Sequence, residues 1–174
     1  MWCLNNANRR QAVVDQQGVG LVEILVAVLL ISVGLLSLLS FQLLSLQADR
    51  SAYFRTQALL IGMDASERIR ANKRGFETGS YGSTTPAETK SCYSLGVCTG
   101  IELARFEVAE LSERAQRKLP GGALKVCIDS TPNDGVPSAE GCDNKGEALA
   151  IKVWWDEDQD GIAETRVAMG VALR

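Results

Sequence analysis

From Ile24 to Ala48 the chain carries no charged residue. A helix that crosses a bilayer needs about 20 mainly apolar residues at ~1.5 Å rise each. Ile24 to Leu46 meets that need, interrupted only by Ser32, Gly34, Ser37, Ser40, Gln42 and Ser45. The alternative is a buried core helix, but such a helix rarely lacks a polar face over this length, and none is present here. The segment therefore reads as a membrane span. A secretory signal is cut behind small residues that follow its apolar region. Here that position reads Leu46-Gln47-Ala48-Asp49, and the large Leu46 makes it a poor cleavage site. The apolar segment is expected to stay in the mature protein.

The helix is expected to continue past the membrane. Between Asp49 and Asn72 there is no proline, and the only glycine is Gly62. Asp64 and Arg68, and Glu67 and Arg70, have the spacing of ion pairs on a helix surface. Leu59, Leu60, Met63 and Ile69 offer an apolar side for packing. The pattern predicts one helix from about Gly20 to about Ala71, ended by Asn72-Lys73-Arg74-Gly75, a rod of roughly 75 Å. Residues 75–98, rich in Gly, Ser and Thr, read as a loop. Thr99 and Glu102 have capping-box spacing. Ala104, Val108, Leu111, Ala115 and Leu119 recur at helical spacing until Pro120-Gly121-Gly122.

The remainder alternates with period two. Leu124, Val126 and Ile128 form one apolar strand face; Leu149, Ile151, Val153 and Trp155 a second; Val167, Met169, Val171 and Leu173 a third. One apolar face per strand suits an antiparallel sheet packed on a helix. The predicted fold class is α+β, a long N-terminal helix on a small C-terminal antiparallel sheet.

The composition narrows the function. The chain has 174 residues, a net charge of -3 and no histidine. That excludes Ser-His-Asp and Cys-His catalysis and histidine-ligated metals, and the absence of a basic stripe argues against nucleic acid as a partner. No acid pair sits in an apolar setting, so no enzyme activity is expected. Cys3 lies before the apolar segment, whereas Cys92, Cys98, Cys127 and Cys142 follow it. An even number on one side suggests disulfides in an oxidising compartment. Three connectivities are open, and Cys92–Cys98 with Cys127–Cys142 is the simplest. Zinc is the alternative, disfavoured because no CxxC pair is present.

Ahead of the apolar segment stands Gly18-Val19-Gly20-Leu21-Val22-Glu23-Ile24-Leu25, behind a polar stretch with Arg9 and Arg10, which favour a cytoplasmic N-terminus. A carboxylate at the start of a lipid-embedded helix is costly, and an acid in such a place is a functional candidate. Its natural partner is a cation at the same depth. Cleavage after Gly18 would create one, the α-amine of Val19. Glu23 of one subunit could then meet the amine of the next in a dry fibre core.

These residues resemble the type IV prepilin signature: a basic leader ending in glycine, then an apolar stretch with glutamate as its fifth mature residue. The resemblance implies cleavage between Gly18 and Val19 by a prepilin peptidase and N-methylation of Val19. Val19 itself departs from the phenylalanine usual in the family. A closer resemblance is to the PilV family of minor pilins. It rests on Gly20-Leu21-Val22-Glu23-Ile24-Leu25-Val26-Ala27, on Gly34-Leu35-Leu36 followed by Gln42, and on Met63 with Glu67-Arg68-Ile69-Arg70-Ala71-Asn72. Leu119-Pro120-Gly121-Gly122 and Val153-Trp154-Trp155-Asp156 also fit. Glu107 and Leu111 depart from it, standing where that family tends to have aspartate and then tryptophan.

The resemblance implies a leader at 1–18, a membrane half of the helix at 19–48, a periplasmic half at 49–72 and a globular domain at 73–174. It implies an inner-membrane, single-pass protein that enters the pilus fibre or its tip and helps start assembly. Its partners would be the prepilin peptidase, other minor pilins, the major pilin and the inner-membrane assembly platform. Ser32, Gly34, Ser37 and Ser40 are small enough to let neighbouring helices approach. Two other readings share part of the pattern: a minor pseudopilin of type II secretion, and a signal-anchored calcium-binding ectodomain.

The calcium reading comes from Asp156-Glu157-Asp158-Gln159-Asp160-Gly161. Carboxylates at positions one, three and five and glycine at six match the opening of an EF-hand loop. Asp156, Asp158, Asp160 and Glu164 would be the ligands. Position twelve, where a bidentate acid belongs, is Val167. The competing reading is a solvated acidic hairpin turn.

Overall fold

A computed structural model describes residues 20–82, 92, 98–146 and 148–172. The leader 1–18, Val19 and Leu173 lie outside the described residues. The described chain runs α1 (Leu21–Ala71), α2 (Lys73–Glu77), a 3₁₀ turn (Ser80–Gly82), α3 (Gly100–Lys118), β1 (Ala123–Ile128), β2 (Leu149–Trp155) and β3 (Thr165–Val171). It divides into two compact units at Ser45/Leu46.

The first unit contains the apolar part of α1. Its large side chains, from Leu21 to Leu44, are all exposed. Ser32, Ser37 and Ser40 donate their hydroxyls to the carbonyls of Val28, Val33 and Leu36, at 2.7, 3.0 and 3.1 Å. Each hydroxyl is thus satisfied by its own helix, which is what an apolar solvent demands of a polar group.

The second unit is an α+β domain. The three strands form an antiparallel meander in the order β1-β2-β3, with Val126 opposite Ile151 and Val153 opposite Val167. One sheet face meets helices. Ala58, Ile61, Ala65 and Ile69 of α1, Ala104, Leu111, Ala115 and Leu119 of α3, and Tyr81 close one core with Val126, Leu149, Ile151, Val153, Trp155 and Val171. This is the long helix on a small antiparallel sheet expected from the periodicity.

The packing stripe of α1 differs from expectation. Ile69 is buried, but Leu59, Leu60 and Met63 are exposed at 39%, 53% and 57%. The buried face is Ala58, Ile61, Gly62, Ala65 and Ile69. Small residues win it because they let the sheet come close, so that Met169 fills the space a Gly62 side chain would occupy. The intrahelical pairs form as expected, Arg68 with Asp64 at 2.9 Å and Arg70 with Glu67 at 3.3 Å.

Two further expectations are corrected. Part of 75–98 is helical rather than loop. Asn72 ends α1 and starts α2, its side chain accepting the Gly75 N–H at 3.0 Å and donating to the Gly100 carbonyl at 2.6 Å. One side chain therefore caps α2 and ties it to the start of α3. The sheet also buries more than one face. Every residue of β2 is buried, including Ala150, Lys152 and Trp154 on the face away from the helices. The segment after β1 covers them. Ile128, expected to face inward, is 36% exposed.

Candidate functional site

Four features carry the candidate chemistry: the start of α1, the seam between α1 and α3, the acidic turn after β2 and the disulfide-closed segment over the sheet.

Glu23 stands in the first turn of α1, where a carboxylate complements the helix dipole. Its backbone N–H donates to the Gly20 carbonyl at 2.8 Å. Its expected partner, the amine of Val19, falls outside the described residues. Among the described residues one helix, α1, is long and apolar enough to cross a membrane.

In the second unit α1 is fastened to α3 by charge. Arg68 donates to Glu110 at 2.8 Å, and Arg114 pairs with Asp64 and, at 3.3 Å, with Glu110. Burial works to raise the Asp64 carboxyl, but Arg68 and Arg114 outweigh it and hold it below its ordinary value. Beneath this seam Tyr81 donates its hydroxyl to the buried Glu107 at 2.6 Å. Burial pushes Glu107 up despite that hydrogen bond and the nearby Arg68 guanidinium. The same burial, with Glu107 opposite, pushes the Tyr81 phenol up. The Thr99–Glu102 capping box at the start of α3 is formed as the sequence predicted.

The acidic turn is built around Asp156. Its Oδ1 accepts the Asp160 N–H at 3.2 Å and its Oδ2 the Gly161 N–H at 2.8 Å, while Asp160 Oδ1 accepts the Ile162 N–H at 2.8 Å. Gln159 and Gly161 take positive φ, 63° and 96°, and so turn the chain back into β3. Carboxylate oxygens of Asp156, Asp158 and Asp160 lie within 4.8 Å of one another. Glu164 is not part of that group, and Val167 is a sheet residue opposite Val153. Glu157 instead accepts the hydroxyl of Ser51, which ties the turn to α1.

The disulfides are Cys92–Cys98 and Cys127–Cys142. The second closes a segment held on the outer sheet face by cations. Lys152 Nζ meets Asp129 Oδ2 at 2.5 Å, Asp134 Oδ1 at 2.8 Å and the Glu140 carbonyl at 2.9 Å. Lys125 pairs with Glu140 at 2.8 Å. Trp154 Nε1 and Arg166 both donate to the Gly135 carbonyl, each at 3.2 Å. Burial works against the Lys152 ammonium, but Asp129 and Asp134 outweigh it and raise its pKa. Asp143 accepts the Ser130 hydroxyl and the Ser130 and Lys145 N–H groups, the latter two at 3.0 and 2.9 Å, and the hydroxyl first, then the two N–H groups, lower its pKa to about 2.

The sequence reading missed Lys152, Asp129 and Asp134. A lysine between apolar residues of a strand reads as solvent-facing, and its partners lie far off in the chain. The one available signal was the density of acids inside the Cys127–Cys142 segment.

Neither the curated proteins nor the solved structures contain a significant match to the chain. A family model described as Tt1218-like, type IV pilin Tt1218, matches residues 40–109, from the middle of α1 into α3. Over those residues the chain is similar to a type IV pilin, and among the described residues α1 is one helix long and apolar enough to cross a membrane.

Proposed function

We propose that the protein is a minor pilin of the type IV pilus, related to the PilV family, that helps initiate assembly in a tip or priming complex with other minor pilins. The observation that carries this is the division of labour along α1. Its first part presents only exposed apolar side chains, while its second part buries Ala58, Ile61, Gly62, Ala65 and Ile69 against its own domain. A helix so divided can exchange lipid for like helices without disturbing the domain it carries. Leu60 and Met63, 53% and 57% exposed, extend the apolar surface into the second part and suit contact with a neighbouring subunit.

In this reading prepilin peptidase cuts between Gly18 and Val19, Val19 is methylated, and Glu23 pairs with the amine of an adjacent subunit. The protein resides in the inner membrane with its disulfide-bonded domain in the periplasm until the assembly platform takes it up. Its work is structural rather than catalytic, and the acidic turn serves as a hairpin connection.

Mass spectrometry of the mature N-terminus tests the processing. A methylated Val19 supports the reading, and an intact Met1 sinks it in favour of a signal-anchored ectodomain. Glu23→Val tests the assembly role: processing should continue while fibre numbers fall. Normal fibre numbers would refute the pairing. A type II pseudopilin would give the same processing, but its loss would abolish secretion and leave pili intact.

A further inference from the structure

The contact under the disulfide-closed segment has the parts of a condensation site. Lys152 and Asp129 are 0% exposed in their side chains, with Nζ 2.5 Å from Oδ2. Oδ2 has no hydrogen-bond partner among the described residues. The other oxygen, Oδ1, accepts the Thr131 N–H at 3.0 Å, and the Thr131 hydroxyl lies 3.4 Å from it. A second carboxylate, Asp134, touches the same Nζ at 2.8 Å through Oδ1, while its Oδ2 accepts the Thr131 hydroxyl at 2.8 Å. Ala150 and Trp154, each 1% exposed, flank Lys152 on the same sheet face.

We propose that Lys152 and Asp129 condense into an intramolecular amide, a covalent bond between the middle of β2 and the segment that follows β1. One proton passes from the ammonium to Oδ2, a transfer that removes the charges of two side chains that are themselves 0% exposed, beside the half-exposed Asp134. The neutral amine then attacks Cγ. Charge developing on Oδ1 is met by the Thr131 N–H, the role of an oxyanion donor. Asp134 takes the second amine proton and passes it to Oδ2, which leaves as water. The third proton stays on the amide nitrogen. Ammonium and carboxylate thus give amide and water, with no oxidant, reductant or activated reagent. Holding both groups in contact supplies the effective concentration that such a reaction lacks in solution. The proposal does not rest on the pilin reading.

The test is the intact mass of the full-length mature protein, purified from membranes in detergent. The expected mass is that of the two-disulfide form less one water. After reduction, trypsin should yield peptide 126–145 joined to peptide 146–166, because it cannot cut behind an acylated Lys152. Asp134→Asn removes the proton carrier and should restore the missing water. A wild-type mass that includes that water, with ordinary tryptic cleavage after Lys152, would overturn the proposal whatever the variants do.

Discussion

Met169 lies over Gly62: a Cβ added to that glycine would stand 2.4 Å from the Met169 Cε. The obstacle is the far end of a flexible side chain, which can swing aside. Alanine also favours a helix interior over glycine by about 1 kcal/mol. Gly62→Ala should therefore leave stability within about 1 kcal/mol of wild type, whereas Gly62→Leu, which no small shift can accommodate, should cost about 1–3 kcal/mol. Thermal denaturation of the two variants separates the cases.

Gly122 presents the opposite situation. Its Cβ would stand 2.1 Å from the Ala115 carbonyl oxygen, a backbone atom in the last turns of α3. That carbonyl already accepts the Leu119 N–H at 2.9 Å. It cannot move without opening the helix end. Gly122→Ala is expected to cost about 1–3 kcal/mol, measured as a fall in denaturation midpoint with unchanged slope.

Removing the Cys127–Cys142 bond should be more damaging. It closes a sequence separation of 15 residues, and a loop of that size corresponds to about 3 kcal/mol in the chain-entropy view. A paired Cys127→Ser, Cys142→Ser variant should lose roughly that amount by chemical denaturation.

The α1–α3 seam predicts an acid limb. Asp64 has its folded pKa held below the unfolded value by Arg68 and Arg114, with burial opposing. Its contribution is then fully present above the unfolded value of about 3.9 and is lost as pH falls through the folded one. Glu107 acts with the opposite sign. Burial raises its folded pKa, so its contribution is present below the unfolded value and declines as pH rises through the folded one. Asp64→Asn should lower Tm near neutral pH and flatten the acid limb. Glu107→Gln, which keeps an acceptor for Tyr81, should gain relative to wild type as pH rises from 4 to 8. Melting across that pH range checks both signs.

Calcium should leave the domain unchanged. Glu164 is not grouped with Asp156, Asp158 and Asp160, and Val167 offers no ligand. A calcium titration to millimolar levels is expected to leave Tm where it was, whereas a rise with concentration would show binding to the folded state.

The local parts of this fold were legible in the sequence, and the long-range ones were not. The Thr99–Glu102 box and the end of α1 at Ala71 depend on residues a turn apart. The strand periods of Leu149–Trp155 and Val167–Val171 are equally local. The burial of α1 could not be read that way, because Leu59, Leu60 and Met63 outrank Ala58, Gly62 and Ala65 in hydrophobicity. Closeness of approach, set by the sheet, decided against them. Lys152 was hidden for a related reason: its burial depends on a covering segment that only the Cys127–Cys142 closure and the fold bring over the sheet. The same holds for Glu107, which needs Tyr81, 26 residues away.

The serines of the apolar half of α1 have a consequence for sorting. Because Ser32, Ser37 and Ser40 turn their hydroxyls onto their own backbone, they offer neighbours bulk but little chemical address. In the proposed assembly a helix surface of that kind would mix with any similar helix, and recognition of the adjoining subunit would fall to residues farther along α1, where Leu60 and Met63 are exposed.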